Sequence, residues 1–195
     1  YGRLPVRTVA QLQTVVSKII GYETQPNAPW RYRAAFVADN FRSEDGTADG
    51  AGNFAYLTES AAALRPTGWT TSRMYYDPYP GTNTQQPWRV GDSDAARTRT
   101  RELFNQGAAF VTYSGHGLVD RWADTSRGAT GATWLLHNDD IAQLQNADKL
   151  PIVLEMACLT GSFQDDSANG SIDEQLLLAP NGGAPAAGGD GAALR

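Results

Sequence analysis

The sequence predicts an α/β protein with a mostly parallel sheet and helices on both faces. Short apolar runs rich in β-branched and aromatic residues, the pattern of buried strands, alternate along the chain with segments of helical periodicity. Strands that alternate with helices form right-handed βαβ units, which leave the strands parallel and cover both faces of the sheet. With 195 residues, of which 41% are hydrophobic, the chain is long enough for one substantial core of this kind.

The first half of the chain predicts two helices and two strands. Thr8 is a candidate N-cap for a helix over residues 9–22, whose apolar residues fall on one face and are expected to point into the core. The apolar run at residues 34–38 predicts a buried strand. A second helix over residues 54–64 and a strand over residues 73–76 complete this half.

The second half predicts the two most apolar strands, each between helices. Pro and Gly dominate residues 185–191, so this last segment predicts a poor strand. The predicted elements are, in order, a helix from Asp92 or Ser93 through Asn105, a strand over residues 108–113, a helix over residues 138–144, a strand over residues 151–156, and a helix over residues 172–178 capped by Ser171.

Two loops are long enough to have a function. Residues 118–133 follow the strand at 108–113 and are rich in Gly, Asp and Trp, and a loop of that length is often part of a substrate site. Residues 42–52 carry several carboxylates that could ligate a structural calcium ion. Because the spacing of an EF-hand is absent, a solvated loop is the favoured interpretation, and no cofactor is expected to be required.

The charge pattern and the apolar runs exclude several classes of protein. The net charge is -5 and no segment is dominated by basic residues, which argues against a nucleic-acid partner. No apolar run reaches the roughly 20 residues that a membrane-spanning helix needs. The start at Tyr1 has neither an initiator methionine nor an apolar signal segment, so the chain is expected to be part of a longer polypeptide. Few lysines and many small polar residues suit a secreted bacterial protein.

Two of the predicted strands end in a chemically reactive side chain. His116 stands between two glycines after the strand at 108–113, and Cys158, the one cysteine of the chain, follows the strand at 151–156. Functional groups in open α/β sheets gather at the carboxyl ends of strands, so the pair predicts a cysteine nucleophile and its proton acceptor. An isolated free cysteine is more often a small core residue, but the glycine-flanked histidine favours catalysis. The N–H groups of Gly117 and Cys158 are candidates for an oxyanion hole.

These two motifs resemble the gingipain family of cysteine peptidases, within the caspase-like clan. The matching residues are Tyr-Ser-Gly-His-Gly at 113–117 and Glu-Met-Ala-Cys-Leu-Thr-Gly-Ser-Phe at 155–163. The resemblance extends roughly over residues 2–183 and implies a caspase-like three-layer sandwich and an exported or cell-surface protein. The family carries further strands upstream that the sequence lacks, so residues 1–195 are expected to be a single catalytic domain or the major part of one.

The resemblance implies a cysteine endopeptidase that hydrolyses a protein or peptide substrate through a thioester acyl-enzyme. Cys158 would attack the peptide carbonyl and His116 would transfer the protons, while Asp39, ahead of Asn40, is the candidate to orient the imidazole. Glu155 is a competing acid, but strand alternation turns it away from Cys158 and favours a structural role. A sortase-like transpeptidase with the same dyad, and a non-catalytic caspase-like module of a surface assembly, remain alternatives.

Three further residues have candidate roles. Trp122 is expected either to form a wall of the substrate cleft or to pack in the core. Cleavage after Arg or Lys would need an acid in the specificity pocket, and the family places it near Asn53, so arginine specificity is not predicted. His137 stands beside a predicted helix start, where a capping or surface role is expected.

Overall fold

A parallel sheet forms the centre of the computed structural model, which describes residues 2–79, 86–125, 131–164 and 169–189. In chain order, the strands of the described residues are β1 (Arg33–Ala38), β2 (Thr70–Tyr76), β3 (Arg89–Val90), β4 (Phe110–Ser114), β5 (Gly117–Leu118), β6 (Arg121–Trp122), β7 (Leu136–His137), β8 (Ile152–Met156) and β9 (Ala186–Gly188). Six of them form the main sheet in the order β3-β2-β1-β4-β8-β9, and every neighbouring pair is parallel. The predicted parallel sheet is confirmed.

The helices begin where the sequence predicts. The side chains of Thr8, Asp92 and Ser171 each accept a hydrogen bond from a first-turn N–H, as N-caps do. The fourth helix ends three residues earlier than predicted, because the chain continues from it into turns. The helices of the described residues are α1 (Val9–Thr24), α2 (Phe54–Ala63), α3 (Ser93–Gln106), α4 (Asn138–Ile141) and α5 (Ile172–Leu178).

Helices cover both faces of the sheet. On one face, Phe54 of α2 and Phe36 of β1 belong to one apolar cluster. On the other face, Phe104 of α3 and Leu176 of α5 belong to a larger cluster with Val111 of β4. This arrangement of helix, sheet and helix confirms the predicted three-layer sandwich.

Helix α1 differs from its expected role. Val15 is its fully buried apolar residue, whereas Leu12, Val16 and Ile20 are exposed. The helix lies against α5 rather than on the sheet, so most of its apolar face does not enter the core. The expectation that these residues point into the core was wrong, because periodicity shows that a face is apolar but not what packs on it.

The order of the strands reverses between β1 and β4. From β1 the chain adds β2 and β3 on one side of the sheet, and it later adds β4, β8 and β9 on the other. Ligands of open α/β sheets bind in the crevice at the carboxyl ends of strands at such a switch point. Asp39 follows β1 and His116 follows β4, so both lie at this crevice.

A small antiparallel sheet lies within and after the segment predicted as a long loop. Strands β5 and β6 form a hairpin directly after His116, and β7 pairs with β6 on its other side. The loop prediction for residues 118–133 was therefore wrong for the hairpin, and residues 126–130 lie outside the described part of the chain.

The segment predicted to be a poor strand forms the edge of the main sheet. Ala186, Ala187 and Gly188 pair in parallel with residues 152–154 of β8. Proline is tolerated just before an edge strand, because only one side of that strand needs ladder hydrogen bonds, and Pro185 stands there. Residues 190 and 191 of the predicted segment lie outside the described residues.

Candidate active site

The register of β4 and β8 brings His116 and Cys158 to the same edge of the sheet. Ser114 pairs with Met156 at the end of the ladder, and the Gly115 N–H donates to the Met156 carbonyl at 3.2 Å. His116 and Cys158 each stand two residues beyond this last pair. The two residues that the sequence predicted to act together therefore follow adjacent parallel strands at matching positions.

Glycine on both sides of His116 allows the backbone to pack closely. A methyl group on Gly115 would lie 2.3 Å from Asp39 Cβ, and one on Gly117 would lie 2.5 Å from the carbonyl oxygen of Cys158. Both distances are far below van der Waals contact. A side chain at position 117 would therefore push the histidine loop and the cysteine turn apart.

Cys158 is half-buried in a tight turn that follows β8. Leu159 has a φ of 63°, in the left-handed region that residues with a branched side chain rarely adopt. The turn is closed by a 3.0 Å hydrogen bond from the Ser162 N–H to the Leu159 carbonyl. Such backbone strain persists only where the surrounding structure enforces it and is common at active sites.

The His116 ring contacts an acid that the sequence analysis did not assign to it. Its Nε2 lies 2.7 Å from Asp49 Oδ2, and the ring packs edge-on against Phe54 with the ring centres 5.3 Å apart. The imidazole is half exposed, so these two contacts fix its direction at the surface. Asp49 belongs to the loop that the sequence predicts to be solvated or, less favoured, to bind calcium, and no spacing rule links a loop carboxylate to a histidine 67 residues later.

The carboxylate of Asp49 is held in its ionised form. Partial burial raises its pKa, but the hydrogen bonds from His116 and from the Ala51 N–H, together with the charge of His116, outweigh burial and lower the pKa below its usual value. Its Oδ1 accepts from the Ala51 N–H at 2.8 Å. Asp49 can therefore act as a fixed negative charge beside the imidazole.

Asp39 lies next to His116 but contacts its backbone rather than its ring. Asp39 Oδ2 accepts from the His116 N–H at 3.3 Å, and Oδ1 accepts from the Asn40 N–H at 2.7 Å. The side chain is buried, and burial raises the pKa of Asp39 to about 7 despite these hydrogen bonds. The structure thus assigns the ring contact to Asp49, whereas Asp39 fixes the main chain of the histidine loop.

A cleft of about 800 Å³ opens beside His116. The loop after β1 forms one wall, and the histidine loop with residues 123–125 forms the other. Carboxylates outnumber basic groups on its surface, so the cleft carries negative potential. The carboxyl and guanidinium groups that line it belong to Asp39, Arg42, Glu44, Asp45, Asp49 and Asp124.

Trp122 lies in the core and has no exposed surface. Its ring stacks on Tyr113 with the centres 4.6 Å apart, and its Nε1–H donates to Glu155. Of the two roles expected for Trp122, this placement is that of core packing, and it excludes contact with a substrate in this structure. Glu155 is also buried, which suits the structural role expected for it.

Asn53 and His137 both act as helix caps. Asn53 accepts from the Tyr56 N–H at 3.0 Å at the start of α2, and it is not among the residues that line the cleft beside His116. His137 Nδ1 accepts from the Asp139 N–H at 3.1 Å at the start of α4. The expected capping role of His137 is confirmed.

The acidic loop uses its carboxylates internally. Asp45 Oδ1 accepts from the Thr47 N–H at 2.8 Å, as Asp49 does from Ala51. Within the described ranges, no group of three or more His, Cys, Asp or Glu residues is arranged to hold a metal ion. Calcium binding by this loop stays a prediction.

No helix in the described part of the chain is both long and apolar enough to cross a bilayer.

Known proteins resemble this chain in both sequence and fold. Gingipain R2 from Porphyromonas gingivalis is 26% identical over 166 residues, which is 83% of this chain and 19% of the relative. Gingipain R1 from the same species is 26% identical over the same length, 14% of its own chain. The chain thus spans about a fifth or less of the curated relatives it matches.

The solved structures give the same fold. The crystal structure of the Arg specific cysteine proteinase gingipain R superposes with a TM-score of 0.65 at 21% identity, over 95% of this chain and 38% of that one. A complex of the RgpB pro- and mature domains gives a TM-score of 0.59 at 20% identity. Both likenesses support the caspase-like α/β sandwich. The family model for Peptidase family C25 matches residues 1–191, and the chain therefore belongs to this family of peptidases.

Proposed function

We propose that the chain carries the catalytic site of a cysteine endopeptidase, with Cys158 as nucleophile and His116 as general acid and base. The register of β4 and β8 carries this proposal, because it brings a thiol and an imidazole to matching positions at the switch-point edge of the sheet. Membership of Peptidase family C25 supports the same reaction class.

The reaction proceeds through a thioester. The Cys158 thiolate attacks the carbonyl carbon of the scissile bond, and the C–N bond breaks as His116 gives its proton to the leaving amine. His116 then takes a proton from water, whose oxygen attacks the thioester. The C–S bond breaks, the carboxylic acid leaves, and the Cys158 thiolate returns beside the imidazolium.

Asp49 defines which ring nitrogen serves Cys158. Its contact with Nε2 leaves Nδ1, which has no hydrogen-bond partner among the described residues, to exchange a proton with the thiol. The negative charge of Asp49 also stabilises the imidazolium that forms in each step, as the acid of a catalytic triad does. Asp39 stabilises the position of His116 by accepting a hydrogen bond from its backbone N–H.

The backbone around Gly117 suits an oxyanion hole. The Ala123 N–H donates to the His116 carbonyl at 2.8 Å, so Gly117 and Trp122 are a pair without mutual hydrogen bonds. The Gly117 N–H therefore points away from β6 and can donate to a substrate oxyanion. The Cys158 N–H is the second proposed donor.

The acidic cleft suits a substrate with a basic side chain. Five carboxyl groups and one guanidinium line it, which favours a positively charged residue on electrostatic grounds. One structural relative is described as Arg specific. The Asn53 position carries no acid, so the preference would come from the loop at 42–52 instead. Its substrates are proteins or peptides, and an exported, cell-surface location suits this role.

A transpeptidase would use the same thioester and differ in its last step, in which an amine replaces water. No feature of the described residues favours an amine over water, so hydrolysis is the proposed outcome. Product analysis with and without an added amino-acid amide distinguishes the two, because transfer yields a ligated peptide and hydrolysis yields a free acid.

The first test is labelling of Cys158 by iodoacetamide and by a peptidyl acyloxymethyl ketone between pH 5 and 8. We expect fast labelling well below the free thiol pKa of about 8.5, and its loss in His116→Ala. His137→Ala is the matched control, since it removes the other histidine and should leave labelling unchanged. Slow labelling that rises only near pH 8.5 and does not respond to His116→Ala would contradict the proposal and favour a non-catalytic module.

A further inference from the structure

Two buried carboxyl groups lie behind the Cys158 turn. Glu155 of β8 and Asp173 of α5 are each 8% exposed, and Thr160, two residues after Cys158, is fully buried beside them. The cluster joins β8 and α5 to the end of the main sheet, since Gly189 just beyond β9 donates its N–H to Asp173 Oδ2 at 3.0 Å. Trp122 donates to Glu155 Oε1 from the small sheet.

The cluster contains more acceptors than donors. Among the described residues, Glu155 Oε2 and Asp173 Oδ1 are buried carboxyl oxygens that no N–H group reaches, and the buried Thr160 hydroxyl beside them has one proton, which cannot satisfy both. Buried polar atoms are almost always hydrogen-bonded, and two ionised carboxylates cannot bond each other. A single carboxyl proton resolves this arrangement, because it lets one acid donate to the other.

We propose that Glu155 and Asp173 share one proton and that this carboxyl pair positions the Cys158 turn for catalysis. The positioning role rests on the proposed function of Cys158 as nucleophile, whereas the shared proton does not. Glu155 stands three residues before Cys158 and Thr160 two residues after it, so the pair holds the turn from both sides. The Asp173 N–H also donates to the Thr160 carbonyl at 3.3 Å.

The surroundings favour the protonated pair. Burial raises the pKa of Glu155 well above its usual value, and the hydrogen bond with Asp173 and the charge of Asp173 raise it further, against smaller opposing effects of Thr160 and Trp122. Tyr113 of β4 is a further titratable group that interacts with Glu155, and burial raises its own pKa. No basic side chain is among the groups that shift the Glu155 pKa.

A metal ion fits the cluster less well than a proton. A methyl group on Gly189 would lie 1.9 Å from Thr160 Oγ1 and 2.6 Å from Glu155 Oε2, so the backbone packs directly on these oxygens. A cation would need oxygen ligands arranged around it at about 2.3–2.6 Å for calcium. The close backbone leaves space for a hydrogen atom instead.

The first experiment measures unfolding by denaturant between pH 5 and 8 in a Cys158→Ala background, which removes any dependence on catalysis. Because the pKa of Glu155 is higher in the folded than in the unfolded protein, its contribution to stability is fully present below the unfolded value of about 4.5 and is lost as the pH rises toward the folded value. Each extra proton in the folded state makes the unfolding constant rise about tenfold per pH unit. Asp39, whose pKa is also raised, adds its own rise in wild type and variants alike, so the difference between their slopes reports the carboxyl pair.

Glu155→Gln should remove this tenfold rise per pH unit. Its amide N–H2 donates to Asp173 permanently, while its Oε1 still accepts from Trp122, so the protein should still fold. Asp173→Asn is a second variant that should remove the same rise, because its amide donates permanently to Glu155. Glu174→Gln is the matched control, because this neighbouring buried carboxylate bonds the Ser171 N–H and not another acid. Equal pH slopes in wild type, Glu155→Gln and Glu174→Gln would overturn the shared proton, as would a calcium-dependent, EDTA-reversible gain in wild-type stability that Glu155→Gln lacks.

The second experiment tests positioning through the pH profile of kcat/KM on a peptide substrate. In Glu155→Gln the alkaline limb should move to higher pH than in wild type, because the variant cannot lose the shared proton, whereas Glu174→Gln should not move it. The comparison cancels the ionisation of the dyad, which all proteins share. Profiles of wild type and Glu155→Gln that coincide, with the unfolding difference intact, would overturn the positioning role alone. A protein without activity that still shows the unfolding difference would contradict the proposed function and not the shared proton.

Discussion

At the residue scale, His116 is held by two carboxylates that act on different parts of it. Asp39 accepts from its backbone N–H and Asp49 contacts its ring nitrogen. A carboxylate on the main chain fixes where the residue lies, whereas one on the ring decides which nitrogen carries the proton and stabilises the charged imidazole. The two contacts therefore predict different consequences of substitution.

Asp49→Asn should lower kcat/KM by about tenfold to a hundredfold, because a hydrogen bond to a charged group contributes about 1.5–3 kcal/mol. The fold should be unaffected, since Asp49 is on a surface loop. Steady-state kinetics on a peptide substrate give the measurement. Asp45→Asn is the control, as it removes a charge from the same loop without touching the ring. An equal loss in both variants would assign the effect to cleft potential instead of the ring contact.

Gly117→Ala should lower the labelling rate of Cys158 at least tenfold and destabilise the protein by about 1–3 kcal/mol, the usual cost of forcing a methyl group into a packed site. The new methyl would meet the Cys158 carbonyl at 2.5 Å and shift the dyad. Gly21→Ala, where nothing lies within 4 Å of the added methyl, is the control and should keep full labelling. A fully reactive Gly117→Ala protein would show that the two loops separate without consequence.

At the element scale, helix α1 is attached to α5 by a buried lysine. Lys18 Nζ donates to the carbonyls of Leu176, Leu177 and Ala179 at 2.8, 2.9 and 3.1 Å. The last carbonyls of a helix have no partner within it, so the Lys18 amino group, whose pKa burial lowers to about 7, satisfies the end of α5. This contact explains how α1 can dock while most of its apolar face stays exposed.

Lys18→Met should destabilise the protein by about 3 kcal/mol, because the carbonyls of Leu177 and Ala179 lose their buried donor, while that of Leu176 keeps the Ala184 N–H. Denaturant unfolding followed by circular dichroism gives the measurement. Lys149→Met, at the exposed lysine in the turn before β8, should change stability by no more than about 0.5 kcal/mol. A Lys18→Met protein as stable as wild type would show that water replaces the amine at the end of α5.

At the scale of the whole molecule, buried and exposed acids change the free energy of unfolding in opposite directions as the pH rises. Asp39 has a raised pKa, so its contribution is full below about 3.8 and is lost as the pH rises to about 7. Asp49 and Asp120 have lowered pKa values, so their contributions are present above the usual range and are lost as the pH falls through it. These acids should therefore make the protein more stable on the acid side of neutrality, whereas Lys18, whose pKa burial lowers to about 7, adds stability only as the pH rises above that value.

Asp39→Asn should flatten the decline of the unfolding free energy between pH 4 and 7, because an amide keeps an acceptor for one N–H and cannot ionise. Denaturant unfolding at unit steps of pH gives the measurement, and Asp139→Asn, at an exposed acid, is the control. If the wild-type decline persists unchanged in Asp39→Asn, the buried acid does not govern this range.

The sequence predicted what depends on neighbours along the chain and missed what depends on packing. The helix starts at Thr8 and Ser171 follow from capping residues, and the strands before His116 and Cys158 follow from local apolar runs. Asp49 could not be assigned, because its contact with His116 depends on how a loop folds back over the sheet edge. The same holds for β9, where pairing with β8 outweighs the poor local preference of Ala-Ala-Gly.

The paired ladder of β4 and β8 also determines which segments of the chain tolerate insertions and deletions. A residue added within either strand would shift its reactive side chain by about 3.3 Å and turn it to the other side of the sheet. A residue added between the strands, in the turns around α4, leaves the register of β4 and β8 and the positions of His116 and Cys158 unchanged. Insertions and deletions among relatives should therefore concentrate between Leu118 and Leu150, while the count from Ser114 to His116 and from Met156 to Cys158 stays constant.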